Sequence, residues 1–173
     1  MKEKDRFLTK RISLLALFTA LAMILSYIES MIPVIIGVPG IKIGLPNLIV
    51  VMVLYQMRYK AGFVVDVVRI LATGFLFGNM FSICFSLAGG MLSYLIMCIC
   101  YRFRFHIVTC SIAGGITHNL GQFLAAFLLV QNKMLWYYYP ILMMAGFIAG
   151  LCNGLLAMVI CRRTTKVLQS ELE

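Results

Sequence analysis

LPNLIVVMVLYQMRYKAGFVVDVVRILATGFLF, residues 45–77, sets the architecture of this chain. Two apolar runs, about Leu45–Met57 and Ala61–Phe77, flank the basic turn Arg58-Tyr59-Lys60. A Lys/Arg turn between two apolar runs reads as the cytoplasmic bend of a membrane hairpin. The same punctuation recurs outward in both directions. Lys2, Lys4, Arg6, Lys10 and Arg11 precede the first apolar run. Arg102 and Arg104 interrupt a later one, and Arg162, Arg163 and Lys166 follow the last. Placing every cluster on the cytoplasmic side makes the intervening segments cross in pairs. Twelve Lys/Arg then lie inside, Lys42 and Lys133 lie outside, and Arg69 falls within a span. That asymmetry supports the positive-inside orientation.

The expected fold is therefore all-α: a polytopic membrane protein with six transmembrane helices in one bundle and both termini inside. The organisation read from the sequence is a basic cytoplasmic N-terminus (1–11), a six-helix transmembrane domain (12–161) and a cytoplasmic tail (162–173). The expected location is the bacterial cytoplasmic membrane, crossed many times. Expected spans are about Ile12–Tyr27, Leu45–Met57, Ala61–Phe77, Met80–Tyr101, Val108–Val130 and Pro140–Cys161. The stretch Glu29–Pro46 holds Pro33, Gly37, Pro39-Gly40 and Gly44, which break helices, so it reads as an ordered or re-entrant outer loop. Trp136 to Tyr139 reads as an interfacial aromatic belt.

Composition agrees. The 173 residues are 62% apolar and 12% charged; soluble domains carry roughly 25% charged residues. The net charge of +9 sits at span ends, which points to membrane orientation and anionic lipid, not to nucleic acid. The N-terminus has a basic region, an apolar stretch and Ala20-Leu21-Ala22, as a signal peptide would. Hydrophobicity continues past that triplet to Tyr27, so a retained first span is expected. Six cysteines without CxxC or zinc spacing read as packing residues, and neither a metal nor a cofactor is called for.

Small residues at four-residue spacing mark close helix contacts, since lipid offers no hydrophobic drive between helices. They are Ala16/Ala20, Gly74/Gly78, Ser82/Ser86/Gly90, Ala113/Thr117/Gly121/Ala125 and Gly146/Gly150/Gly154. Ala16 and Ala20, on the first span, could instead face a partner.

Polar residues inside the spans are costly and need an account. Asp66 and Arg69 are three residues apart on one helical face. They form either a structural ion pair or an arrangement in which Arg69 reaches an anion with its guanidinium fork. His118, Asn119 and Gln122 cluster within about one turn near the midplane, either as an interhelical network or as a binding-site wall. Glu29, Asn47 and Asn79, near the outer span ends, are candidates for the rim of an outward pocket. Asn153 reads as an interhelical hydrogen-bonding residue. The six acids are Glu3, Asp5, Glu29, Asp66, Glu171 and Glu173. No aspartate-rich pair, P-loop, HExxH or GxSxG is present, so an enzyme is hard to build from this chain.

Three motifs carry a family resemblance: Arg69-Ile70-Leu71 with Gly74 and Gly78; Ser86-Leu87-Ala88-Gly89-Gly90 with Ser93; and His118-Asn119 with Gly121-Gln122. Over about residues 12–160 the chain resembles the Gx transporters, also labelled heptaprenyl diphosphate synthase component I. Asp66 is not part of the pattern. That family resembles the substrate-binding S components of energy-coupling factor transporters. The resemblance implies capture of a small molecule from outside, with a separate transmembrane coupling subunit and ATPases as partners. It also implies docking of that subunit on Ala16 and Ala20, and gating by the loop at 33–46. The synthase label implies instead a membrane partner in isoprenoid or quinone synthesis. Prenyl diphosphate chemistry needs magnesium on clustered aspartates, so that partner would be non-catalytic. A scaffold role in a membrane redox complex is a third reading. The leading expectation is a substrate-binding transport subunit for a small polar or anionic molecule, with Arg69, His118, Asn119, Gln122, Asn79, Asn47 and Glu29 at its site.

Overall fold

The computed structural model describes residues 3–31 and 44–172, with residues 3, 4, 6, 7 and 165–172 described by backbone alone. Six α-helices and one short 3-10 turn make up these residues: α1 (Glu3–Met31), α2 (Leu45–Met57), α3 (Tyr59–Phe77), α4 (Met80–Arg102), α5 (Ile107–Val130), the 3-10 turn (Lys133–Tyr137) and α6 (Tyr139–Leu172). No strand occurs among them. Four stretches are long and apolar enough to cross a membrane: Leu8–Met31, Met80–Arg102, Ile107–Val130 and Tyr139–Thr164. The tail continues α6 as helix to Leu172. The proposed gating segment falls largely on residues 32–43, outside the described residues.

The shortest helix is the centre. Leu48 to Leu54 of α2 are all buried, with Pro46 and Met57 at its ends. A helix that is apolar all round belongs inside. Its start is set by Gly44 in the left-handed region (φ 70°) and by a proline in the first turn, where the missing N–H removes no helical bond. By contrast α1 is peripheral. Only Phe18 and Ala22 are fully buried along it, while Leu17, Leu21 and Ile24 are exposed.

The basic turns meet at one end of the bundle. Tyr55 donates to the carbonyl of Phe105 (2.6 Å), and Gln56 donates to Thr164 (2.8 Å), beside Arg162 and Arg163. Tyr101 packs edge-on against both Tyr55 and Tyr59. The turn at Arg58 and the α4–α5 loop are thereby held side by side. The aromatic group after α5 folds back: Trp136 stacks edge-on against Phe123 and Phe127.

Glycines set the closest contacts. A Cβ on Gly115 of α5 would lie 2.3 Å from the carbonyl oxygen of Gly146 on α6, and one on Gly150 would lie 2.7 Å from Ile112 Cα. Gly154 meets Val108 in the same way. The α6 repeat Gly146/Gly150/Gly154 is thus a packing seam against α5. The α5 stripe is divided, however: Gly115 faces α6, whereas Gly121 faces Ala88 of α4. The Ala113/Thr117/Gly121/Ala125 register missed Gly115, because one helix here serves two neighbours.

Candidate functional site

α2 has 13 residues, so it rises about 20 Å, against a hydrocarbon core of about 30 Å. Gln56 near its end is tied to Thr164 of α6, and Gly44 at its start is tied to Asn153 of α6. The start of α2 therefore lies partway down α6, inside the bundle. Arg69 is ten residues into α3 and His118 eleven into α5, each about 15 Å along its helix at 1.5 Å per residue. Polar residues from several helices meet at this depth.

Gly44 is the junction. Its N–H donates to the Glu29 carboxylate of α1, and its carbonyl accepts from Asn153 Nδ2 (3.0 Å) and from the Asn47 N–H (2.9 Å). Asn47 Oδ1 in turn accepts from Arg69 Nη2 (3.1 Å). Arg69 commits Nε (3.0 Å) and Nη2 (2.6 Å) to one oxygen of Asp66. Both residues are almost fully buried, Asp66 at 1% and Arg69 at 6% exposure. The second oxygen of Asp66 accepts no hydrogen bond and faces Gly90 of α4. The ion-pair alternative for Asp66 and Arg69 is the one observed.

A cleft opens beside this junction. Gly44 and Asn47 of the α2 start, Gly115, His118 and Asn119 of α5, and Gly146, Ala149, Gly150 and Asn153 of α6 line it. It offers about 10 Å³ to the centre of a water-sized sphere, and one water needs roughly 10–15 Å³ on that measure. The conformation is closed around at most a water. Asn119 donates Nδ2 to the Leu142 carbonyl (2.8 Å), which ties α5 to α6 at the cleft edge. His118 presents its ring edge and carbonyl to Gly89 of α4 as well. Gly115, Gly146 and Gly150 in the wall bring the backbones of α5 and α6 into direct contact.

The seven site candidates separate into three groups. Asn47, His118 and Asn119 line the cleft. Glu29 and Arg69 touch it through Gly44 and Asn47. Gln122 lies against Gly89 at the α4–α5 contact, and Asn79 is exposed at the start of α4, where Oδ1 caps the Ser82 N–H (2.8 Å). The rim expectation for Glu29 and Asn47 changes because α2 starts at mid-depth; Asn79 stays at the helix end, occupied in capping. Asn153 joins the cleft as well as bonding between helices. Gly44, Gly115, Gly146, Ala149 and Gly150 were not read as site residues. The signal available was their position: two small-residue seams that adjoin His118-Asn119 and Asn153. Ala16 and Ala20 are exposed on the outer face of α1.

Neither the curated proteins nor the solved structures yield a match to this chain. The family model described as heptaprenyl diphosphate synthase component I matches residues 18–160. That match takes in all nine lining residues as well as Glu29, Asp66 and Arg69, and it agrees with the resemblance carried by the three motifs. The chain therefore belongs to the heptaprenyl diphosphate synthase component I family.

Proposed function

We propose that this chain is a membrane-embedded substrate-binding subunit of a small-molecule uptake system. In this reading six helices cross the cytoplasmic membrane with both termini inside. The protein has no ATPase of its own and works with a transmembrane coupling subunit and separate ATPases. The observation that carries the reading is the meeting of Asn47, His118, Asn119 and Asn153, from three helices, around a cleft walled by glycine backbone. Polar groups in a lipid-embedded bundle mark ligand paths, and a helix that starts inside the bundle is a recurrent way to place such groups. The closed cleft is the resting form. A substrate enters when the start of α2 swings away from α6, which breaks the Asn153–Gly44 bond. Ala16 and Ala20 supply the face of α1 for the coupling subunit.

Native mass spectrometry of gently extracted protein tests this reading. A retained small molecule is expected, lost in Asn47→Ala and His118→Ala while the fold persists. A protein that carries no small molecule and binds none when offered extracts of growth medium contradicts it.

The family name favours a second reading, a non-catalytic membrane partner of a prenyl diphosphate synthase. Asp66 is a lone acid on its helix face, and it is neutralised by Arg69; magnesium-diphosphate chemistry needs clustered carboxylates. Stable association with a soluble catalytic subunit, and turnover only in that complex, would establish this reading over transport.

A further inference from the structure

Arg69 is the one cation within a helix near the cleft among the described residues, and Asp66 cancels it. Both of the Arg69 nitrogens that bond Asp66 contact the same carboxylate oxygen, and Nη2 also donates to the neutral amide of Asn47. Asn47, His118, Asn119 and Asn153 provide amide and imidazole donors and acceptors. An anion entering here would lose its hydration and meet a guanidinium already paired with Asp66. A neutral molecule with both donors and acceptors would lose less and pair with side-chain amides and imidazole.

From this we infer that the cleft selects an uncharged, hydrogen-bonding molecule over the matching carboxylate, and that Asp66 sets this preference by neutralising Arg69. The inference rests on the reading of the cleft as a binding site. Asp66 acts here as a positioning residue: it touches Arg69, not the ligand.

The test uses isosteric pairs that differ in charge: nicotinamide and nicotinate, benzamide and benzoate, pyrazinamide and pyrazinoate. Purified full-length protein in phosphatidylcholine nanodiscs at neutral pH is examined by saturation-transfer NMR, which registers weak contacts. Signal that disappears in Ala149→Leu, which fills the cleft, counts as cleft binding. The amides are expected to bind at least about tenfold more tightly than the acids, a gap of about 1.4 kcal/mol. Asp66→Asn frees the charge of Arg69 and is expected to raise acid binding by at least about tenfold. The double variant Asp66→Asn/Arg69→Gln is expected to restore the preference for amides. A merely structural role for Asp66 would weaken both members of each pair alike.

Acids binding wild type as well as amides do would overturn the inference and leave the binding site standing. A folded Asp66→Asn with unchanged acid binding would overturn it too. If no compound from either set gives cleft-dependent signal, the binding-site reading falls with it. Should Asp66→Asn not fold, the amide-to-acid ratio of wild type decides alone.

Discussion

Two polar groups lie at the same depth of this bundle and do different work. On α3, Asp66 and Arg69 are buried and spend their charges on each other. On α5, His118 and Asn119 line a cleft shared with α2 and α6, and Asn119 bonds the Leu142 carbonyl of α6. In sequence both are polar residues on apolar helices. In space one is an ion pair within α3 and the other is a set of uncharged groups bonded between helices. Charge in a low-dielectric interior demands a partner at once, so the ion pair is satisfied first and offers little to a ligand. Uncharged amides tolerate partial satisfaction, and that tolerance suits a site that must exchange partners.

The comparison breaks most visibly at the ion pair. Arg69→Ala or Asp66→Ala leaves an uncompensated buried charge, with an expected loss of about 3–5 kcal/mol. Unfolding in detergent measures it, and the double variant Asp66→Asn/Arg69→Gln should lose less than either single change. Equal loss in all three would show that the pair is not a unit.

A smaller effect is expected where the cleft is walled by backbone. Gly115→Ala sets a methyl 2.3 Å from the Gly146 carbonyl, so α5 and α6 must separate, at about 1–3 kcal/mol. Thermal stability unchanged by this substitution would place the seam elsewhere. Asn79→Ala removes one helix cap and should cost about 1 kcal/mol. It should leave ligand retention intact, since Asn79 is far from the cleft; loss of ligand would return it to the site. Smallest of all is Ala16→Leu with Ala20→Leu. These exposed positions should change stability by less than about 0.5 kcal/mol. Co-purification with a coupling subunit should nonetheless disappear, and its persistence would move the docking face off α1.

Much of this was legible because lipid leaves a chain few options. The helix ends follow the basic turns and glycine breaks closely. The i, i+3 spacing of Asp66 and Arg69 foretold their bond, and Asn153 does join two helices. What was not legible depends on the relative depth of helices, which no local pattern encodes. Asn47 follows a proline-rich loop in sequence and so reads as an outer rim residue. It sits at mid-depth because α2 is short and pinned at both ends to α6. Asn79 has the same composition signal and a different fate, since its side chain is consumed by the first turn of α4. Gly115 and Gly146 read as packing residues, which they are. That they also wall a cleft follows only from how α5 and α6 meet next to the α2 start.

The central claim is that the space between the α2 start, α5 and α6 holds a small molecule. Ala149→Leu tests it directly, because it fills the cleft while every polar lining group remains. Ligand retention and thermal stability are measured on the same preparation. The account predicts lost ligand in a protein that still folds, with stability of the ligand-free form lowered by about 1–3 kcal/mol through overpacking. Ligand retained at the wild-type level by a folded Ala149→Leu protein would contradict it.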